Sequence, residues 1–252
     1  MIFLTGDTHG DYDIHKLAKS NFEMGHQDYI SKDDYLIILG DFGLVWHPHN
    51  TKGYKNEKYW LDWLNDKPFT TLFVDGNHEN HPLLYDLPII EKFGGNVGKV
   101  KDSIFHLKRG EVYEIDNEKY FVMGGGTSID KNNRTPGESW WKEEIPSVVE
   151  FECGLQNLEK HNWEVDYILG HTCPSKIKDI YFKDIGLIDK SLQPKFSIEC
   201  PVEKYFDVVV EKTKFKIFYF GHLHDEWTHE KYVMLYKNIV LLGNDHNDKL
   251  IY

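Results

Sequence analysis

Five short segments hold most of the side chains able to do chemistry. They are Gly6-Asp7-Thr8-His9-Gly10, Gly40-Asp41-Phe42-Gly43, Gly76-Asn77-His78-Glu79, Gly170-His171-Thr172 and Gly221-His222-Leu223-His224. Each sets a carboxylate, amide or imidazole beside a glycine that lets the backbone turn sharply. A lone Asp or His in such a loop is usually a turn former or a satisfied polar group. A recurring pattern of this kind calls for a common cause. Imidazole nitrogens mixed with carboxylate oxygens suit Mn, Fe or Zn rather than Ca. The donors are too many for one tetrahedral zinc. Shared around a bridging carboxylate, they suit two ions about 3.5–4 Å apart, which activate water and clamp a phosphoryl group.

Such a site needs elements that bring distant segments together. Short apolar runs predict buried strands at Ile2 to Leu4, Tyr35 to Leu39, Thr71 to Val74, Lys119 to Met123, Tyr167 to Leu169 and Lys216 to Phe220. Helical spacing lies between them. Ile14, Leu17, Ala18 and Phe22 form one stripe, and Val148, Phe151, Leu155 and Leu158 a second. Val202, Tyr205, Phe206 and Val209 form a third. Ser147 with Glu150 predicts a capping box, and Pro201 suits a first helical position. Strands alternating with helices predict an α/β protein with mostly parallel pairing. Ligands of such sheets collect beyond the carboxyl ends of the strands, where all five segments fall.

The bulk properties bound the function. The chain has 252 residues, 40% hydrophobic and 28% charged, a folded globular composition. Gly and Pro are scattered and no repeat or linker stands out, so a single domain over residues 1–252 is expected. No apolar run approaches the roughly 18–20 residues of a membrane-spanning helix. The first ten residues, MIFLTGDTHG, lack a positive n-region, so no signal peptide is expected. Cys153, Cys173 and Cys200 are too sparse for a disulfide scaffold, which favours a reducing, cytoplasmic setting. The net charge of −12 repels nucleic acid and anionic membranes at long range. A local cation can still hold a phosphate. Arg109 and Arg134, the only arginines, are candidate bidentate phosphate holders.

The ordered set DxH, GDxG, GNHE, GH and GHxH, from Asp7 to His224, resembles the calcineurin-like metallophosphoesterase superfamily, and the stretch from Gly124 to Trp141 resembles a segment of its bacterial and phage-type branch. The resemblance implies a four-layer α/β/β/α sandwich of two mixed sheets, with a dimetal site at the strand ends. It implies two divalent ions (Mn, Fe or Zn) as cofactors. Asp7, His9 and His224 would bind one ion. Asn77, His171 and His222 would bind the other, and Asp41 would bridge both. His78 would be catalytic, stabilising the transition state or protonating the leaving oxygen, while a metal-bridging hydroxide attacks phosphorus in line. Glu79 is expected to be structural. The activity implied is that of a phosphatase or phosphodiesterase.

The sequence departs from the protein serine/threonine phosphatase branch, where the second motif continues to a DRG segment. Here Leu44-Val45-Trp46 follows, so the acidic partner of His78 is open between Asp11 and Asp75. That departure lowers a protein phosphatase as a reading, and the net charge with the lack of a basic face makes a small phosphomonoester or phosphodiester the expected substrate. The alternatives are a nuclease, which would need more chain for DNA capture than follows His224, and a non-catalytic binding module on the same fold. Weaker signals remain. Gly124-Gly125-Gly126 leads through Asp130 and Arg134 to Ser139-Trp140-Trp141. It reads either as a substrate loop, with Arg134 on a phosphate and a Trp on a ring, or as a turn with packed tryptophans. His47-Pro48-His49 reads as a solvated loop, Cys173 as a small core residue, and Asn244-Asp245-His246 as a turn.

Overall fold

The computed structural model describes residues 1–21, 29–187, 198–243 and 248–251. The first strands are β1 (Ile2–Thr5), β2 (Tyr35–Leu39), β3 (Thr70–Val74), β4 (Ile89–Lys92), β5 (Gly95–Lys101), β6 (Ile104–Leu107) and β7 (Val112–Ile115). They are followed by β8 (Glu118–Met123), β9 (Tyr167–Gly170), β10 (Ile217–Phe220), β11 (Trp227–His229), β12 (Tyr232–Met234), β13 (Ile239–Leu241) and β14 (Lys249–Leu250). The helices are α1 (Lys52–Asn65), α2 (His81–Tyr85), α3 (Val148–Lys160), α4 (Ser175–Asp184) and α5 (Pro201–Lys212).

Among the described residues the strands form two mixed sheets, ordered β14-β13-β1-β2-β3-β6-β5-β4 and β11-β12-β10-β9-β8-β7. Strands β1, β2, β3 and β6 pair in parallel, as do β8, β9, β10 and β12. Antiparallel strands flank both runs. Each predicted strand is present, with ends shifted by about a residue.

Alternation along the strands makes four layers. Leu4, Ile37, Leu39 and Val74 of the first sheet meet Tyr120, Val122, Leu169 and Tyr219 of the second in a shared core. Phe3, Leu36, Ile38 and Phe73 point the other way, against Leu61 and Leu64 of α1. Phe121, Ile168, Phe218 and Phe220 point outward from the second sheet, against α3, α4 and α5 through Leu158, Ile177, Phe206 and Val209. The α/β/β/α sandwich that the resemblance implies is thus present. Both faces of the parallel strands are covered, so these strands read as continuous apolar runs.

The caps are where expected. Ser147 Oγ accepts from the Glu150 N–H at 3.2 Å, and Glu150 Oε2 accepts from the Ser147 N–H at 2.7 Å. Pro201 opens α5. The expected helix from Ile14 is different. It opens with one 3₁₀ turn, Ile14–Leu17, which ends where Ala18 is extended at φ −63°, ψ 145°, and helical backbone resumes at residues 19–21. Ile14 and Leu17 bury their side chains, as the spacing requires. Phe22 of that stripe lies outside the described residues, as do Asn244, Asp245 and His246. Val148 is exposed at the start of α3, whereas Leu158 is buried. No helix among the described residues is long and apolar enough to cross a membrane.

Candidate metal centre and its cleft

Asp7 and His9 follow β1, Asp41 follows β2, and Asn77 and His78 follow β3. His171 follows β9, and His222 and His224 follow β10. The parallel strands of each sheet end side by side, and the two sheets bring all these side chains to one place. The approach is close. A Cβ on Gly76 would overlap the Asp41 carboxylate, and one on Gly221 would overlap Asp7 Oδ1. The backbone is strained here too, with positive φ at His9 (45°), Asp41 (46°), His222 (72°) and His224 (56°).

Two donor clusters share Asp41. In the first, single ligand atoms of Asp7, His9, Asp41 and His224 lie within 4.8 Å of one another. His9 Nδ1 contacts Asp13 Oδ2 at 3.1 Å, which turns Nε2 toward Asp41 Oδ2 at 3.3 Å and Asp7 Oδ2 at 3.9 Å. His224 Nε2 lies 3.0 Å from Asp7 Oδ2. That buried oxygen has no partner in hydrogen-bonding geometry. In the second cluster, His171 Nδ1 meets the Leu39 carbonyl at 2.9 Å and so carries the proton there. Its Nε2 faces Asn77 Oδ1 at 3.0 Å, His222 Nδ1 at 3.1 Å and Asp41 Oδ1 at 3.3 Å. One proton, on either imidazole, satisfies one of these contacts and leaves lone pairs facing each other. A cation among them satisfies all. The residues present therefore fit divalent ions, and Asp41 would offer an oxygen to each cluster.

The electrostatics point the same way. Burial opposes charge on His171, yet the Asp41 carboxylate outweighs it and pushes the imidazole up to about 10. His9 rises to about 9 because the hydrogen bond and charge of Asp41 outweigh burial. Asp41 is held well below the carboxylate range, with the His171 and His78 charges outweighing its burial. Positive charge is thus demanded where the donors converge.

Behind the donors lie supports. Glu79 is fully buried, and its carboxyl accepts from the N–H groups of Phe42 at 2.7 Å and Gly43 at 3.1 Å. It joins the second and third segments, the structural role expected of it. The buried Lys16 ammonium donates to the carbonyls of Gly6 at 3.0 Å, Asp7 at 2.8 Å and Tyr236 at 2.5 Å.

The donors open into a cleft of about 630 Å³ lined by His9, Tyr12, Trp46, His78, Arg134 and Tyr236, among others. The His78 N–H donates to Asp41 Oδ1 at 2.8 Å. Burial lowers the His78 pKa, against the opposing charges of Asp41 and Asp130. Neither sequence candidate partners its ring. Asp11 accepts from Asn56 Nδ2 at 2.8 Å, and Asp75 is buried against Arg109. The two arginines have separate fates. Arg109 is buried, with Nε and Nη2 on Asp75 Oδ2 at 2.8 and 2.6 Å and Nη2 on the Glu143 carbonyl at 2.9 Å. It is a scaffold group, not a phosphate holder. Arg134 reaches the cleft, held by Asp130 Oδ2 at 2.8 Å and by the Ser139 carbonyl at 3.2 Å.

For the Gly124 to Trp141 segment, both readings hold in part. Arg134 faces the cleft. Trp141 is buried and packs edge-on against Trp46, with ring centroids 5.2 Å apart. The indole in the cleft is Trp46, which the sequence reading passed over. Asp13 and Tyr236 were missed as well. Asp13, four residues after His9, had a local signal, and Tyr236 had none. His49 is exposed beside Tyr54, and Cys173 is a buried core residue, both as expected.

Comparison with known proteins agrees with this geometry. A search of curated proteins finds no match. Among solved structures, a mutant cold-active protein tyrosine phosphatase is 11% identical over 100% of this chain and 80% of that one, at a TM-score of 0.36. That likeness carries no argument. The model of the calcineurin-like phosphoesterase family matches residues 1–226, a span that includes every donor described above. With its two sheets, its shared aspartate and its ring of imidazoles, the chain belongs to the calcineurin-like phosphoesterase family.

Proposed function

We propose that the protein hydrolyses a small phosphorylated molecule, a monoester or diester, with two divalent ions of Mn, Fe or Zn type. The observation that carries this reading is the convergence of Asn77 Oδ1, His222 Nδ1 and Asp41 Oδ1 on His171 Nε2, beside a second cluster that uses the other oxygen of Asp41. Asp7, His9 and His224 hold one ion, Asn77, His171 and His222 the other, and Asp41 both. Bound there, the ions supply Lewis-acid charge and acidify water.

The chain's own groups do the rest. His78, at the floor of the cleft, holds a phosphate oxygen or delivers a proton to the departing oxygen. Burial favours the neutral ring, which donates an N–H hydrogen bond to a phosphate oxygen; to act as the acid it would first take a proton from solvent. Arg134 sets a fixed positive charge across the cleft, aimed by its pair with Asp130. The cleft volume is that of a site for one small molecule. The net charge of −12 weighs against a long nucleic acid.

The test is hydrolysis of nitrophenyl phosphate and bis-nitrophenyl phosphate with added Mn²⁺, with Asp41→Asn as the blank. Mn²⁺-dependent turnover of the monoester supports a phosphatase, and turnover of the diester a phosphodiesterase. Turnover that Asp41→Asn retains in full would overturn the assignment of Asp41. A wild-type protein that turns over neither ester and binds no metal would overturn the reading as a whole.

A further inference from the structure

The two ends of a carboxamide have nearly the same shape, so which end faces His171 is decided by the groups around Asn77. A bare lone pair on His171 Nε2 would call for Nδ2–H opposite it, whereas a cation, or a proton on Nε2, calls for the oxygen. Asn77 Oδ1 faces His171 Nε2 at 3.0 Å, and Nδ2 donates to Ser128 Oγ at 3.0 Å.

Ser128 is in turn constrained. Its backbone N–H donates to Glu144 Oε2 at 3.2 Å, which fixes the residue beside Asn77 with its hydroxyl oxygen accepting from the amide. Ser128 and Glu144 are 1% and 2% exposed, so solvent does not compete for these bonds. Gly126, two residues before Ser128, donates its N–H to the Glu144 carbonyl at 3.1 Å, which fixes the distance between the partners.

We propose that Ser128, oriented by Glu144, is a positioning residue that holds the Asn77 oxygen toward a divalent ion among Asp41, Asn77, His171 and His222. The inference rests on the metal reading given above. It assigns the glycine-rich segment after β8 a second task beyond carrying Arg134. The segment keeps the amide oxygen in the orientation that a bound cation uses.

The test is calorimetric titration of Mn²⁺ into metal-stripped protein, with thermal unfolding as the check on folding. Wild type takes up two ions. Ser128→Ala leaves one uptake unchanged and weakens the other about 10–100-fold, the usual cost of losing an outer-shell partner. Ser128→Thr keeps the hydroxyl and restores both. The decisive comparison uses Asn77→Asp, whose two oxygens make orientation irrelevant. In that background Ser128→Ala has no further effect on affinity. Wild-type affinities in Ser128→Ala, or an equal loss in the Asn77→Asp background, would overturn the positioning role while leaving the metal reading intact. A wild type that binds no Mn²⁺ would instead overturn the metal reading, and the inference with it.

Discussion

Two clusters that share Asp41 predict a measurable coupling between Mn²⁺ and folding. An ion that binds the native state alone stabilises it by about 2.7 kcal/mol when present at a hundredfold excess over its dissociation constant. Two such sites contribute about 5 kcal/mol together. A chain of 252 residues has an unfolding entropy of about 0.5 kcal/mol per kelvin, from about 2.1 cal/mol/K per residue. The melting temperature should therefore rise by about 10 °C on adding Mn²⁺ at that excess. Asp41→Asn replaces one of the two shared oxygens with an N–H donor and removes the charge that both clusters use. The Mn²⁺-dependent rise should then fall to less than half. Each variant is compared with itself, with and without the ion, so any change in its metal-free stability cancels. Differential scanning calorimetry with Mn²⁺ or chelator gives the four temperatures. An undiminished rise in Asp41→Asn would refute the sharing of Asp41, and no rise in wild type would refute the ion sites.

Other outcomes follow from single side chains. His78→Ala should lower kcat by about 10²–10⁴-fold, the range for loss of an acid–base group, with the Mn²⁺-dependent rise in melting temperature preserved. Arg134→Ala should raise KM about tenfold or more, as expected for a lost hydrogen bond to a charged group, and unchanged kinetics would restrict Arg134 to tying its own loop. Glu57 is buried under the Trp46 loop, and its Oε2 accepts from the N–H groups of Trp46 and His47 at 2.9 Å each. Burial outweighs those bonds and pushes its carboxyl up to about 7. The unfolded chain loses this proton near pH 4.5 and the folded chain near pH 7, so stability falls as pH rises between those values. The ceiling is about 3 kcal/mol, and about 1–2 kcal/mol is expected after solvent screening. Glu57→Gln should remove that slope in urea titrations at pH 5 and pH 8, and parallel profiles would refute it. Arg109→Met should cost about 3–5 kcal/mol by leaving the Asp75 carboxylate buried without its guanidinium, measured by urea unfolding.

How much was legible in the sequence depended on how local each cause is. Strands such as Tyr35–Leu39 and Thr70–Val74 are buried on both faces, and a run of apolar residues states that outright. The meander β4 to β6 was not read. Ile89–Lys92 is half exposed and Gly95–Lys101 carries two glycines and two lysines, so neither shows a clean period. Helix α1 was missed because its buried face is reduced to a few positions, such as Leu61 and Leu64. The ion donors were legible because each sits beside its glycine at a strand end. Their supports were not. Lys16 meets Tyr236 across 220 positions, and Asn77 meets Ser128 across 51. No spacing rule spans such gaps. The paired tryptophans at 140–141 drew attention by adjacency, while the solitary Trp46 is the one that lines the cleft.

The left-handed backbone at His9, Asp41, His222 and His224 has a consequence for how such a chain changes over time. Each of these residues occupies a conformation that glycine or asparagine would adopt more readily, at a cost of about 1–3 kcal/mol apiece. Selection for robustness alone would replace these positions early, and selection for turnover would keep them. Stabilising libraries screened by heat without an activity filter would be enriched in inactive descendants with asparagine or glycine at positions 9 and 224. A lineage that had abandoned hydrolysis would drift the same way, trading its imidazoles for a more durable fold.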